Sequence, residues 1–221
     1  MSLTDVLTDE HEKNAGTSRR YGLVHAIVVD NHDPEGLGRI KIKFPSLAND
    51  AESDWAHVVS FMAGKDRGAV FLPEVDDAVL VGFVEGDLDH PCVLGALWNS
   101  QDTSPEPNQD GKNNIRKIKS RSGHELIFGD DAESGKEKVE LHTKAGHTIL
   151  LDDSTGAEKI EIRDKTGSNV VTIDSVNGAM SLESQMTLTI KSPQIEINAE
   201  TSLKLSAGAV VEIKGGLVKI N

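Results

Sequence analysis

The histidines are the first candidates for chemistry in this 221-residue chain. Imidazole is both a common metal ligand and a base that works near neutral pH. His25, His32, His57, His90, His124, His142 and His147 are scattered, and no two fall at ligand spacing on one strand face. His124 and His147 do occupy matching places in a repeat, so association of several copies would cluster them. The default reading is ordinary strand residues, and no metal site is expected. Asp76-Asp77, Asp130-Asp131 and Asp152-Asp153 have the composition of general acid/base pairs, but each falls in turn-like sequence with no cleft around it. Gly36-x-Gly38 leads into a strand pattern, whereas a phosphate loop opens a helix, so a tight turn is expected. Cys92 stands in an apolar run and reads as a buried structural thiol; as the sole cysteine it forms no disulfide within one chain. Trp55 and Trp98 are expected to pack a core. No catalytic residue, metal or cofactor is therefore expected.

The elements that would position these residues are strands. Net charge is −13, hydrophobic content 37% and aromatic content 4%. That acidity excludes a nucleic-acid partner, which needs a basic footprint, and equilibrium binding to an anionic membrane. Residues 1–20 are polar and have no secretory signal pattern, so synthesis in the cytoplasm is expected. Nothing approaches the ~20 apolar residues of a membrane helix.

Residues 1–18 read as a flexible segment and 19–100 as one β domain. Strands are expected at Tyr21–Asp30, Leu37–Phe44, Ala56–Phe61, Ala78–Glu85 and Cys92–Ala96, with a short extra one at Ala69–Leu72. Five strands in so short a span suggest a small barrel such as an OB-fold. Residues 101–114 are a linker by composition.

From Ile115 the character changes. Gly123-His-Glu-Leu-Ile-Phe, Gly146-His-Thr-Ile-Leu-Leu and Gly167-Ser-Asn-Val-Val-Thr-Ile repeat one motif, with partner strands at Lys138–His142, Lys159–Arg163 and Met180–Glu183. The step then tightens. Leu188/Ile190, Ile195/Ile197, Leu203/Leu205, Val211/Ile213 and Val218/Ile220 are apolar pairs flanking a polar residue, seven or eight residues apart. Period-two alternation buries one face of each segment, but so short a strand cannot shelter that face alone. Three chains wound into a prism solve this. The pairs fill the axis, and nearly every backbone hydrogen bond over 115–221 is expected to run between chains. Glu196, Lys204, Glu212 and Lys219 would then stack as a charge ladder, or simply face solvent. The final layer, Leu217, Val218, Ile220 and Asn221, would end as a blunt apolar seat for a docking partner.

Several phrases of residues 21–100 carry a family resemblance. They are Gly22-Leu-Val-His-Ala-Ile-Val-Val-Asp-Asn-His-Asp-Pro-Glu-Gly-Leu-Gly-Arg-Ile-Lys-Ile-Lys-Phe-Pro, Asp54-Trp-Ala-His-Val, Met62-Ala-Gly-Lys-Asp-Arg-Gly, Phe71-Leu-Pro-Glu-Val-Asp-Asp-Ala-Val-Leu-Val-Gly-Phe, Gly86-Asp-Leu-Asp-His-Pro-Cys-Val-Leu-Gly and Leu97-Trp-Asn. They resemble the OB-fold domain of the VgrG and phage baseplate protein V family, and the following repeat resembles that family's needle. The resemblance implies an all-β homotrimer in which the OB-fold barrel is followed by an intertwined triple-stranded β-helix. Its function would be that of the central spike of a contractile injection machine, which pierces a target envelope. It implies a separate hub protein on the amino-terminal side, because the family's long hub domain is absent. It also implies a PAAR-repeat cap on the carboxy-terminal tip and transient passage through a target membrane. The tip His-x-His of some short phage spikes is missing.

Two other classes stay open. A trimeric fibre binding surface glycans would call for exposed aromatics on the shaft, where residues 115–221 contain only Phe128. An envelope-degrading enzyme would show peptidoglycan turnover.

Overall fold

The computed structural model describes residues 22–45 and 52–220. Its described residues form an all-β chain with a single 3₁₀ turn at Val84–Gly86. The chain divides into two compact units, residues 1–113 and 114–221.

In the first unit, β1 (Val24–Asp30), β2 (Lys41–Lys43), β3 (His57–Val58), β6 (Ala78–Phe83) and β7 (Pro91–Ala96) form a sheet of order β2-β1-β6-β7-β3. Neighbours are antiparallel except β3 and β7, which run parallel. Reciprocal hydrogen bonds between Ile40 and Ala56, at 3.0 and 2.8 Å, join the two edges and close a barrel. Alternation sends Val24, Ala26, Val28, Ile42, Val79, Val81 and Val93 inward to a dry core with Ile40 and Ala56. Phe44 and Phe83 stack across one end, with ring centroids 5.8 Å apart.

Several expectations are corrected here. Tyr21 lies outside the described residues. The strand expected at Leu37–Phe44 shortens to β2, because residues 33–39 form a capped loop instead. Asp33 accepts the backbone N–H groups of Glu35, Leu37 and Arg39, and its two oxygens take the Arg39 guanidinium at 2.9 Å each. That guanidinium, above all, holds the Asp33 carboxyl well below the usual range. Ala69–Leu72 forms no strand. A hairpin of β4 (Ala63–Gly64) and β5 (Arg67–Gly68) precedes it, and the Ser60 hydroxyl sits between the Met62 and Ala69 carbonyls at 3.0 and 2.9 Å. Trp98 is 71% exposed instead of packed. The last ladder bond is Leu97 N–H to the Ala78 carbonyl, after which Asn99 turns the chain away by accepting the N–H groups of Gln101 and Asp102. Trp55 is half-buried under the Lys41 ammonium, 5.1 Å from its ring centre. Cys92 is only half-buried.

The second unit is a seven-stranded antiparallel meander: β8 (Ile115–Lys119), β9 (Glu125–Gly129), β10 (Lys138–His142), β11 (Thr148–Asp152), β12 (Lys159–Arg163), β13 (Val170–Asp174) and β14 (Ala179–Glu183). Each strand pairs with the next in unbroken five-residue register. Over 115–183 the ladder bonds therefore run within one chain, contrary to the expectation of bonds between chains throughout. Alternation reports which face a residue takes, not which chain supplies its neighbour. Asp152 is correspondingly a strand residue and not part of a turn. Over 184–220 no strand forms within the chain, and every side chain is exposed.

Candidate functional site

The unbroken register lines side chains up in rows across the meander. One row is Phe128, Val139, Leu151, Ile160, Ile173 and Met180, ended on β8 by Arg116; two positions away on each strand lies the other row, Ile118, Leu126, Leu141, Ile149, Ile162, Val171 and Leu182. Both rows are on the same face. Leu126 and Val171 are half-buried, and the others range from 36% exposed at Val139 to 71% at Met180. A sheet this long with one uncovered apolar face is not a stable end point in water.

The opposite face carries the charges. Lys138, Asp152, Lys159 and Asp174 alternate in sign across four strands. Glu140 lies between Lys138 and His142, at 2.9 and 2.8 Å, and Glu161 lies between Lys159 and Arg163, at 3.3 and 2.8 Å. Glu125 pairs with Lys119 at 2.9 Å and Lys117 at 3.4 Å. The Arg163 hydrogen bond holds Glu161 below its ordinary pKa, and the Lys119 bond does the same for Glu125. Burial alone would raise Glu140, but Lys138 and His142 outweigh it and the net shift is downward. Glu161 is the buried polar side chain among the described residues, and its ion pairs explain why it tolerates burial. The charges of this face are paired on it, among Ile127, Leu150 and Val170, whereas the large apolar side chains of the other face are mostly exposed.

The motif glycines Gly123, Gly146 and Gly167 close three equivalent turns, their N–H groups bonding the carbonyls of Ser120, Thr143 and Asp164 at 2.9 Å each. All three have positive φ, between 74° and 95°. The residues after them tie the turns into a stack. His124 Nδ1 accepts Lys144 N–H at 3.3 Å, His147 Nδ1 accepts Lys165 N–H at 3.2 Å, and the Asn169 side-chain oxygen accepts Gln185 N–H at 3.2 Å. The matching repeat positions of His124 and His147 thus reflect a shared structural task. Sequence reading missed it, although the signal is present: Ser120 and Thr143 stand four residues before each histidine, and their hydroxyls cap the His124 and His147 N–H groups at 3.0 Å.

After β14 the chain leaves the sheet at the end of the second apolar row, without covering it. Leu188 joins Leu141, Ile149, Ile162, Val171 and Leu182 around a groove of about 500 Å³. From there the expected axial residues follow with a repeating pattern of exposure. The first members of four successive pairs, Leu188, Ile195, Leu203 and Val211, are 52–56% exposed; the second members, Ile190, Ile197, Leu205 and Ile213, are 63–65% exposed. At the end Leu217, Val218 and Ile220 are exposed, and Asn221 lies outside the described residues. Within the chain Glu212 pairs with Lys214, and Glu196 accepts the Asn198 amide.

Residues 24–98 match the type VI secretion system/phage-baseplate injector OB domain. The chain is 30% identical over 126 residues to the type VI secretion system spike protein VgrG3 of Vibrio cholerae serotype O1, a match covering 53% of this chain and 12% of that protein. It is 35% identical over 132 residues to the spike protein VgrG5 of Pseudomonas aeruginosa, covering 50% and 17%. It is 28% identical over 169 residues to the actin cross-linking toxin VgrG1 of Vibrio cholerae, covering 73% and 15%. The matches thus span less than a fifth of each relative's length.

Proposed function

On the premise that the chain belongs to the VgrG and phage baseplate protein V family, we propose that it is the structural central spike of a contractile injection machine. Three copies assemble with the apolar rows of residues 115–183 turned inward. The pairs from Leu188 to Ile220 continue that axis as an intertwined triple-stranded needle. The observation that carries this reading is the continuity of uncovered apolar surface. Two rows on the meander and one pair in each later repeat all lack a cover within the chain. Burying each of these side chains contributes on the order of 1–2 kcal/mol, since about half of each is already covered. The needle backbone gains strand neighbours only from other copies, so the segment from residue 184 onward has no folded state in a lone chain.

The spike acts mechanically and performs no covalent chemistry. A hub ring seats on the amino-terminal side, and a PAAR-repeat cap docks on Leu217, Val218, Ile220 and Asn221. The assembled spike crosses the target membrane only in transit. Phe128, the sole aromatic after residue 115, lies in an apolar row and not on the charged face. A glycan-binding platform on the outer face would therefore lack a stacking ring. The test is a light-scattering mass of the purified chain. About three times 23.8 kDa is expected, and a mass of one chain at micromolar concentration sinks the reading.

A further inference from the structure

The needle repeats carry a hazard that the meander resolves. Their apolar pairs recur every seven or eight residues with nearly the same exposure in each repeat, so three tails can wind together displaced by a whole repeat and still bury apolar pairs. Some element outside the tail must therefore set the register. We propose that the apolar face of residues 115–183 is the surface on which a second and a third copy of this chain first dock, and that it sets the register of the terminal repeats before they wind. This rests on the trimeric reading above and adds to it an order of assembly and a source of register.

Three observations favour a copy of this chain as the occupant and docking as the first event. The meander satisfies its strand ladders within one chain, so this face can form before any partner arrives, whereas the tail has no strand neighbour of its own. Formation from local contacts is also fast relative to winding of distant segments. The apolar face continues directly into the tail, because Leu188 both lines the groove over Ile162 and Leu182 and begins the axial pairs. Finally, the link is held by side chains: the Asn169 oxygen accepts the Gln185 N–H, and the single Ser184 hydroxyl proton is shared between the Asn169 oxygen and the Thr187 carbonyl. Three docked meanders would therefore start three tails at equivalent heights.

The test is co-expression of the full chain with a variant lacking one repeat, residues 199–206. The two are separable by mass. Docking through the meander ignores tail length, so native mass spectrometry should find mixed trimers near the binomial ratio of about 1:3:3:1. Segregation into pure trimers of each length would mean that the tails choose their own register, and it overturns the inference while leaving the spike reading intact. A monomeric full chain would overturn both. In the otherwise intact chain, Ile162→Val should slow trimer formation about tenfold, since each of three copies loses a methylene from the docking face. Ile213→Val should leave that rate within about twofold and instead hasten dissociation. Equal slowing by both, or by Ile213→Val alone, is incompatible with docking first.

Discussion

His147 accepts the backbone N–H of Lys165 through Nδ1 at 3.2 Å, across the gap between two successive turns of the meander. The bond places the ring proton on Nε2 and uses the histidine as a rigid acceptor. Asn169 performs the same task one turn later with an amide oxygen. The position therefore calls for an acceptor of a certain reach, not for imidazole chemistry.

His147→Asn should consequently retain most of the stability of the turn stack, and His147→Leu should lose about 0.5–1.5 kcal/mol per copy. Hydrogen exchange at the Lys165 amide separates the two: protection is expected in the Asn variant and not in the Leu variant. Equal protection in both would remove the acceptor role.

Asp33 organises a seven-residue loop from one carboxylate, with its side chain only 3% exposed. Asp33→Ala strands the Arg39 guanidinium and three backbone N–H groups, and the melting temperature of the barrel unit should drop by several degrees. Asp33→Asn keeps one acceptor oxygen and should fall between that variant and the parent. Calorimetry of the three chains checks the ordering.

Acid should weaken the second unit. Hydrogen bonds from Arg163, Lys119, Asn169 and Asn177 hold Glu161, Glu125, Asp164 and Asp174 below their ordinary values of 4.5 for Glu and 3.8 for Asp. A carboxyl whose folded pKa is depressed binds its proton more readily when unfolded. Its contribution is therefore complete above the ordinary value and fades as pH falls through the folded one. Denaturation midpoints should be flat from neutral pH to about 5 and fall steadily below about 4. A midpoint that rises on acidification would contradict the assignment of these hydrogen bonds and ion pairs.

Much of this was legible in the sequence. Val24, Ala26 and Val28 alternate as an inward strand face, and Leu126, Ile149 and Ile162 announce apolar faces by the same period. Pair spacing also located the repeats from Leu188 to Ile220. Two things were not legible. Alternation does not name the neighbouring strand, so the in-chain pairing of Glu140 with Ile127 and Leu150 could not be told from pairing between chains. Side chains that bond to a distant backbone, as His124 does with Lys144, leave no local periodicity. Trp98 was misplaced because an aromatic beside a strand looks like core until the strand's last ladder bond is known.

Ile197 gives the sharpest test of the axis. It is 63% exposed in a single chain, and at that exposure a carboxylate would cost little. In a three-chain needle Ile197→Asp instead brings three carboxylates together on a dry axis, with no cation among the apolar pairs to neutralise them. Leaving a buried charge uncompensated costs about 3–5 kcal/mol, and three such charges also repel one another. The soluble assembly should be lost, or should melt far below the parent. Ser192→Asp, on the polar turn between the same repeats, introduces the same charge and should leave both mass and melting unchanged. Sedimentation of the two variants beside the parent decides the matter: if Ile197→Asp has the parent's mass and melting temperature, the side chain does not face a shared axis.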